Sequence, residues 1–377
     1  MKKVKILHCG DLHFDTPFKE LNKNISRKSK NELLEVFKKI IDLVIEKKVE
    51  VLLIAGDVFD NLTVNRSTIF FIIEQLKRIS NVYVFISPGN HDPYGEKSFY
   101  KLIDFPNNIY IFKGELEKKE IPKLNVVIWG AAFRKKYEKS TLIEKVKIDK
   151  EKINIMLLHG EISNENKENE YNPIYLNDIK ESKMDYIALG HRHKFSGILR
   201  ENSTSYAYCG CPQGRGFDEI GEKGVILGDV FNGGTHLEFI HTHKRKYIIK
   251  DVDISNCITY KEVMQSILSN CEADERKNNF YKIVLRGNIK ENLNFDEKVI
   301  TEMLEDEFYY IKIIDNSSIE INLDTISENF SIRGKFISKI YKLLEEAKNE
   351  DEKEILNIAL KLGIKSISQE EVKLDDY

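Results

Sequence analysis

Residues 82–92 read Val82-Tyr83-Val84-Phe85-Ile86-Ser87-Pro88-Gly89-Asn90-His91-Asp92. A β-branched and aromatic run stopped by Pro-Gly predicts a buried strand ending in a tight turn. The turn sets an amide, an imidazole and a carboxylate side by side on a rigid mount. Asn90 offers a neutral oxygen to a metal ion, His91 can give a proton to a leaving oxygen, and Asp92 can hold the imidazole in one orientation. Taken alone, the four residues from Gly89 also describe a plain turn capped by an asparagine.

The flanking chain decides between these readings, because the same arrangement recurs. Upstream, Val51-Leu52-Leu53-Ile54-Ala55 runs into Gly56-Asp57-Val58-Phe59-Asp60, and Val4 to Cys9 runs into Gly10-Asp11-Leu12-His13. Downstream, Ile153 to Leu158 precedes His159-Gly160-Glu161, and Asp185 to Leu189 precedes Gly190-His191-Arg192-His193. Asp and His two apart on an extended segment point the same way and can grip one ion, and two imidazoles two apart can serve two ions or straddle one. His8, inside its strand, reads as a packed core histidine. Helical spacing of Leu33, Leu34, Phe37, Ile40, Ile41 and Val44, and again over residues 69–76, predicts amphipathic crossover helices. Near-continuous apolar strands alternating with such helices predict a parallel sheet buried on both faces, with ligands gathered at the carboxyl ends of its strands. Val126 to Trp129 is a further strand with no ligand after it.

The 377 residues suit two or three domains, and 41% hydrophobic residues are enough to fill them. A net charge of −3 excludes a globally basic nucleic-acid binder, so any such contact must come from a local patch. Cys9, Cys209, Cys211, Cys257 and Cys271 form no CxxC pair, as expected of reduced thiols in a cytosol. The apolar stretch after Met1-Lys2-Lys3 is too short for a signal segment, and no run approaches the about 18 apolar residues of a membrane helix. A soluble cytoplasmic protein with no membrane partner is expected.

Past the first candidate sites, residues 163–172 form a polar loop ending at Tyr171 and Pro173. Tyr206 to Gly216 is a strand running into a glycine-rich connection that carries Arg215. Residues 224–231 and 235–241, joined by Asn232-Gly233-Gly234, make a hairpin. His236, His241 and His243 lie there as surface or packing histidines, without carboxylate partners at useful spacing. After Lys244-Arg245-Lys246 the character changes. Residues 246–327 predict a smaller α+β domain, and 328–377 a helical segment with apolar stripes at Phe336, Ile337, Ile340, Leu343, Leu344 and Ala347 and at Ile355, Leu356, Ala359 and Leu360.

Gathered in order, the candidate metal ligands are Asp11, His13, Asp57, Asn90, His159, His191 and His193, with His91 beside them. They exceed one tetrahedral site and suit two ions sharing a bridge. Their mix of carboxylate, imidazole and amide oxygen suits two divalent ions, Mn²⁺ first and Fe or Zn²⁺ next. In these blocks the chain resembles the calcineurin-like metallophosphoesterase superfamily, whose signature is Asp-x-His, Gly-Asp-x-x-Asp, Gly-Asn-His-Asp/Glu, His and Gly-His-x-His.

The resemblance implies an α/β protein: a β-sandwich flanked by helices in α/β/β/α layers over 1–245, with a smaller α+β cap domain and C-terminal helices. It implies that Asp11, His13, Asp57 and His193 hold one ion and that Asp57, Asn90, His159 and His191 hold the other, with Asp57 as the bridge. Such a pair polarises a phosphate and lowers the pKa of a water between the ions, while His91, backed by Asp92, stabilises the transition state and protonates the leaving oxygen. A finer likeness is to SbcD and Mre-type DNA repair exonucleases, in their bacterial YhaO-like branch. It is carried by Ile6-Leu7-His8, Asp15-Thr16-Pro17-Phe18, Tyr171-Asn172-Pro173 and Gly210-Cys211-Pro212-Gln213-Gly214-Arg215. The sequence departs at Asp60, where many relatives carry His, and matches only loosely after residue 245. This likeness implies a DNA exonuclease or endonuclease acting with an SbcC-like coiled-coil ATPase, and a homodimer is a further expectation. Arg215 and Tyr171 would touch substrate, residues 246–327 would orient DNA and residues 328–377 would bind the ATPase. The competing expectation is a stand-alone phosphodiesterase for cyclic nucleotides or nucleotide sugars.

Overall fold

Strand β1 (Lys3–Cys9) is apolar on both faces, and in this computed structural model both faces are covered. Residues 2–61, 63–143, 146–164, 169–290, 293, 295–319 and 332–367 are described. They fall into two units, Met1–Tyr247 and Ile248–Tyr377. In the first unit β1 is followed by helix α1 (Lys23–Glu46), whose N-cap Asn22 accepts a hydrogen bond from the Ile25 amide at 3.0 Å. Strand β2 (Val51–Ile54), helix α2 (Arg66–Lys77) and strands β3 (Tyr83–Ile86) and β4 (Ile109–Ile111) come next, and β1 to β4 pair in parallel.

The chain then builds a second sheet from β5 (Glu117–Ile121), β6 (Val126–Gly130) and β7 (Ile153–His159). After the short strands β8 (Glu161–Ile162) and β9 (Pro173–Ile174) come helix α3 (Leu176–Ser182) and strands β10 (Tyr186–Gly190), β11 (Leu199–Glu201) and β12 (Thr204–Tyr208). The hairpin β13 (Gly224–Phe231) and β14 (Gly234–His241) returns to the first sheet. The orders are β14-β13-β1-β2-β3-β4 and β11-β12-β10-β7-β6-β5.

Burial on both faces of the central strands β2, β7 and β10 follows from this stacking. Val4, Ile6, Val51, Leu53 and Phe85 of the first sheet meet Ile128, Ile155, Leu157, Ala188 and Ala207 of the second. The first sheet's outer face packs Leu7, Leu52, Ile54 and Val84 under Phe37, Ile40, Ile41 and Val44 of α1 and Ile72 and Leu76 of α2. The second sheet's outer face packs Met156, Leu158, Ile187 and Leu189 under Ile179 of α3. The layers are therefore α/β/β/α. A single parallel sheet, the expectation from strand and helix alternation alone, gives way to two, because β13 closes antiparallel on β1 and leaves β7 and β10 to a separate sheet. His8 lies in the inter-sheet core, its Nδ1 2.9 Å from the Tyr186 hydroxyl, and burial lowers its pKa to about 3.

Strand β15 (Tyr247–Asp253) leads into the second unit and joins β16 (Phe280–Arg286) and β17 (Tyr310–Asp315) in a three-stranded sheet. Helices α4 (Tyr260–Ser269) and α5 (Glu297–Leu304) add Val263, Ile267, Ile300 and Leu304 to its core. The helices Ile332–Glu346 and Glu350–Ile367 pack Ile337, Ile340, Leu360 and Ile364 together, with Phe336, Leu344 and Leu356 against them. The expected boundary at 327 lies outside the described residues, as do residues 368–377 of the helical segment and the middle of the polar loop, 165–168. No helix among the described residues is long and apolar enough to cross a membrane.

Candidate metal centre

The turns after β1 and β2 are stitched together. The amides of Asp11 and His13 donate to the carbonyls of Gly56 and Asp57, at 3.0 and 2.9 Å. This crossing holds Asp11, His13 and Asp57 in the left-handed region, with φ of 51°, 45° and 48°, a conformation that non-glycine residues adopt at a cost. Glycine is required where the loops touch. A Cβ on Gly89 would overlap Asp57 Oδ1, and one on Gly190 would overlap the Ala55 carbonyl oxygen.

All seven predicted ligands converge. His13 Nε2 and His193 Nε2 lie 3.2 Å apart, and Asp11 Oδ1 is 3.9 Å from the latter. On the other side, Asn90 Oδ1 lies 3.0 Å from His159 Nε2 and 3.2 Å from His191 Nδ1. Between the two groups stands Asp57, whose Oδ2 is 3.6 Å from His13 Nε2 and 3.4 Å from His159 Nε2. One carboxylate oxygen thus faces both halves, the position a bridging ligand takes.

The nitrogens that face inward are fixed by partners on the far side of each ring. His13 Nδ1 meets Asp60 Oδ1 at 3.2 Å, His193 Nδ1 meets Glu219 Oε1 at 2.7 Å, and His159 Nδ1 donates to the Ala55 carbonyl at 2.8 Å. With hydrogens on the Nδ1 atoms, the Nε2 atoms of His13 and His193 present lone pairs to each other, and a cation is the group that satisfies both. The donors therefore fit a pair of divalent ions: Asp11, His13, Asp57 and His193 could hold one, and Asp57, Asn90, His159 and His191 could hold the other.

Charge and burial act against each other here. Burial would raise the Asp57 pKa, yet the neighbouring imidazoles of His159, His13 and His91 hold it far below the carboxylate range. Burial would lower His159, but Asp57 raises it to about 9. Asp11 is raised to about 6 by burial, against the pull of His193 and His159. Burial and the Arg215 guanidinium lower His13 to about 4, and burial with the His159 charge lowers His191 to about 3. Because Asp57 raises the His159 pKa, a metal ion binding there competes with a proton.

Two expected roles change. Asp92, expected from the sequence to orient His91, is engaged elsewhere: its Oδ2 accepts from the Val58 and Phe59 amides at 2.7 and 3.2 Å and from the Tyr100 hydroxyl at 2.6 Å, while Oδ1 accepts from the Gly89 amide at 2.9 Å. Those four donors occupy it as a buried clamp between two loops. His91 is oriented instead by the Asp60 carbonyl, 2.7 Å from its Nδ1, and its amide donates to Asp57 Oδ1 at 2.9 Å. Arg215 was to touch substrate, yet its guanidinium is nearly buried and spans Asp60 Oδ1, at 3.2 Å, and the Glu219 carboxylate. It ties together the two carboxylates that orient His13 and His193. Tyr171 does flank the centre, its ring 5.0 Å from that of His191.

Glu219 escaped sequence reading because it comes from a loop with no motif and no periodicity. Only its spacing of four from Arg215 hinted at a pair.

The profile of the family described as calcineurin-like phosphoesterase matches residues 4–195, which take in every ligand from Asp11 to His193. A Bacillus subtilis (strain 168) protein described as uncharacterized metallophosphoesterase YhaO is 26% identical over 87% of this chain and 85% of its own length. A Methanocaldococcus jannaschii protein described as DNA double-strand break repair protein Mre11 is 27% identical over 94% of this chain and 98% of its own. A protein of the same description from Saccharolobus solfataricus is 23% identical over 98% of this chain and 96% of its own.

Proposed function

We propose, from the premise that this chain belongs to the calcineurin-like phosphoesterase family, that the phosphodiester it hydrolyses is that of DNA. The observation that carries this reading is a cleft of about 1020 Å³ opening beside Asn90 and His91. Lys97, Lys101, Lys113, Arg134, Lys135 and Lys136 line it, against the carboxylates of Asp60 and Glu96 only. In a chain of net charge −3 this is the local basic patch that a polyanion requires. A cyclic nucleotide brings one phosphate and has no use for six cations along a groove. Relatives described as DNA double-strand break repair proteins support the same substrate class.

Bound in the centre, two divalent ions, Mn²⁺ by the donor set, offset phosphate charge and lower the pKa of a water molecule. The chain's own residues do the rest. With its hydrogen on Nδ1 held by the Asp60 carbonyl, His91 turns Nε2 to the cleft, where it can carry a proton to the leaving oxygen. Tyr171 and His191 form an aromatic wall on which a terminal base can stack. Among the described residues, every metal-binding group lies before Tyr247. The second unit is therefore assigned, in the same proposal, to orienting DNA and docking an SbcC-like coiled-coil ATPase.

The test is end-labelled linear DNA with Mn²⁺, beside cyclic nucleotides and a chromogenic diester. DNA should shorten from an end, and rates should fall steeply with salt. Lys97→Glu with Lys101→Glu and Lys135→Glu should cut DNA hydrolysis by about tenfold or more and spare the chromogenic diester. Preference for cyclic nucleotides, with DNA untouched even beside a candidate ATPase, overturns the reading.

A further inference from the structure

The hairpin histidines, unpartnered by sequence spacing, acquire a carboxylate in the fold. Glu222 stands two residues before β13, and the register that pairs Gly224 with His241 brings it to the end of β14. One oxygen, Glu222 Oε2, lies 3.1 Å from His241 Nδ1 and 3.4 Å from His243 Nε2. The other oxygen, Oε1, is 3.5 Å from Lys246 Nζ.

Backbone fixes the site from behind. The Thr242 amide donates to the Lys223 carbonyl at 3.1 Å, and the Thr242 hydroxyl donates to the Pro212 carbonyl at 2.8 Å. His243 Nδ1 lies 2.9 Å from the Lys223 carbonyl and 3.3 Å from the Lys223 amide. The shorter contact places the hydrogen on Nδ1, so Nε2 turns a lone pair toward the lone pairs of Glu222 Oε2. In the tautomer with its hydrogen on Nδ1, the imidazole meets the carboxylate at 3.4 Å as acceptor facing acceptor, which a cation resolves. Bonds of about 2.0–2.1 Å in a tetrahedron put neighbouring ligand atoms about 3.3 Å apart, the spacing that Glu222 Oε2 already keeps from both rings.

We infer that Glu222, His241 and His243 form a third metal site, separate from the paired centre. Two imidazoles and a carboxylate, with a fourth position left open, suit Zn²⁺ and bind Mn²⁺ far less well. Glu222 and His241 also line a cavity of about 740 Å³ whose wall includes His191 and His193. An ion at this site adjoins the same solvent space as the paired centre, and its open position can take an anionic oxygen there.

The experiment equilibrates the full chain with Zn²⁺ at about pH 8, where ordinary imidazole is neutral, and counts zinc per chain by mass spectrometry. Wild type should hold one ion more than His241→Ala/His243→Ala, whatever number the paired centre holds. Glu222→Gln should bind that extra ion at least about tenfold more weakly. Cobalt(II) in its place should give a tetrahedral visible spectrum that the double variant lacks. His243→Gln is the second variant should the double one fold poorly, with circular dichroism as the check. Equal zinc counts in wild type and folded variants leave a protonated His–Glu contact only, and overturn the site.

Discussion

Asp57 and His159 carry most of the charge balance of the centre, and the consequence is a pH dependence with a definite sign. Without ions, Asp57 raises the His159 pKa from 6.5 to about 9, so its proton must leave when a metal enters. Apparent Mn²⁺ affinity should therefore rise with pH up to about 9 and then level. Titration calorimetry in buffers of different ionisation enthalpy should show proton release at neutral pH. A flat affinity would mean that His159 is neutral before the ion arrives. For folding of the ion-free chain the sign is opposite, because the raised pKa contributes stability that is full below 6.5 and is lost as pH rises through about 9. Thermal melts of chelated protein should weaken across that window. His91 behaves differently from the ligands. It is held by the Asp60 carbonyl and donates its amide to Asp57, but its ring binds no predicted ion. His91→Ala should keep the metal content of the wild type and lose roughly 10²–10⁴ in turnover. A missing ion in that variant would make His91 a ligand.

At the level of the element, each predicted ligand is delivered at or just beyond the end of a buried strand, and this is why the convergence of these residues was legible. From the end of β3 at Ile86 the chain reaches Asn90 through Ser87-Pro88-Gly89, β7 ends in His159 itself, and β10 ends at Gly190 with His191 next. What sequence could not supply was the set of contacts made across elements. Asp92 looked like a partner for its neighbour His91, but the loop after β2 presents the amides of Val58 and Phe59 to it first. Arg215 reads in sequence as a substrate contact in a glycine-rich loop, yet Asp60 from the loop after β2 and Glu219 from its own loop close on it. The tightest of these crossings makes a prediction. Gly89 passes so close to Asp57 that a Cβ would come within 2.9 Å of the Asp57 amide nitrogen as well as overlapping its carboxylate. Gly89→Ala should push the bridging position aside, lower the metal content and cost about 1–3 kcal/mol of stability. Unchanged metal content by elemental analysis would show that the loop yields freely there.

For the whole molecule, burial pattern alone could not decide which strands share a sheet, since strands of a sandwich core and of a doubly covered parallel sheet are apolar on both faces alike. The apolar stripes of the C-terminal helices were open in the same way, readable as a partner's docking face or as the protein's own core. In the described residues much of that surface is used internally. Ile337 and Ile340 of one helix meet Leu360 and Ile364 of the other, while Leu343 and Ile355 stay exposed. The pair is also anchored within its unit, because Lys361 Nζ lies 2.6 Å from Asp315 Oδ2 at the end of β17, with both side chains nearly buried. Removing one partner of such a pair leaves an uncompensated charge and typically costs about 3–5 kcal/mol. The metal-binding groups found among the described residues all belong to Met1–Tyr247, a unit with its own cores. Lys361→Ala should therefore lower the melting of the second unit while Mn²⁺-dependent hydrolysis of a chromogenic diester stays at the wild-type rate. Calorimetry with parallel diester assays reads both. A loss of diester hydrolysis at temperatures where the first unit is still folded would mean that the centre depends on the second unit, and the division of labour proposed for the two would fail.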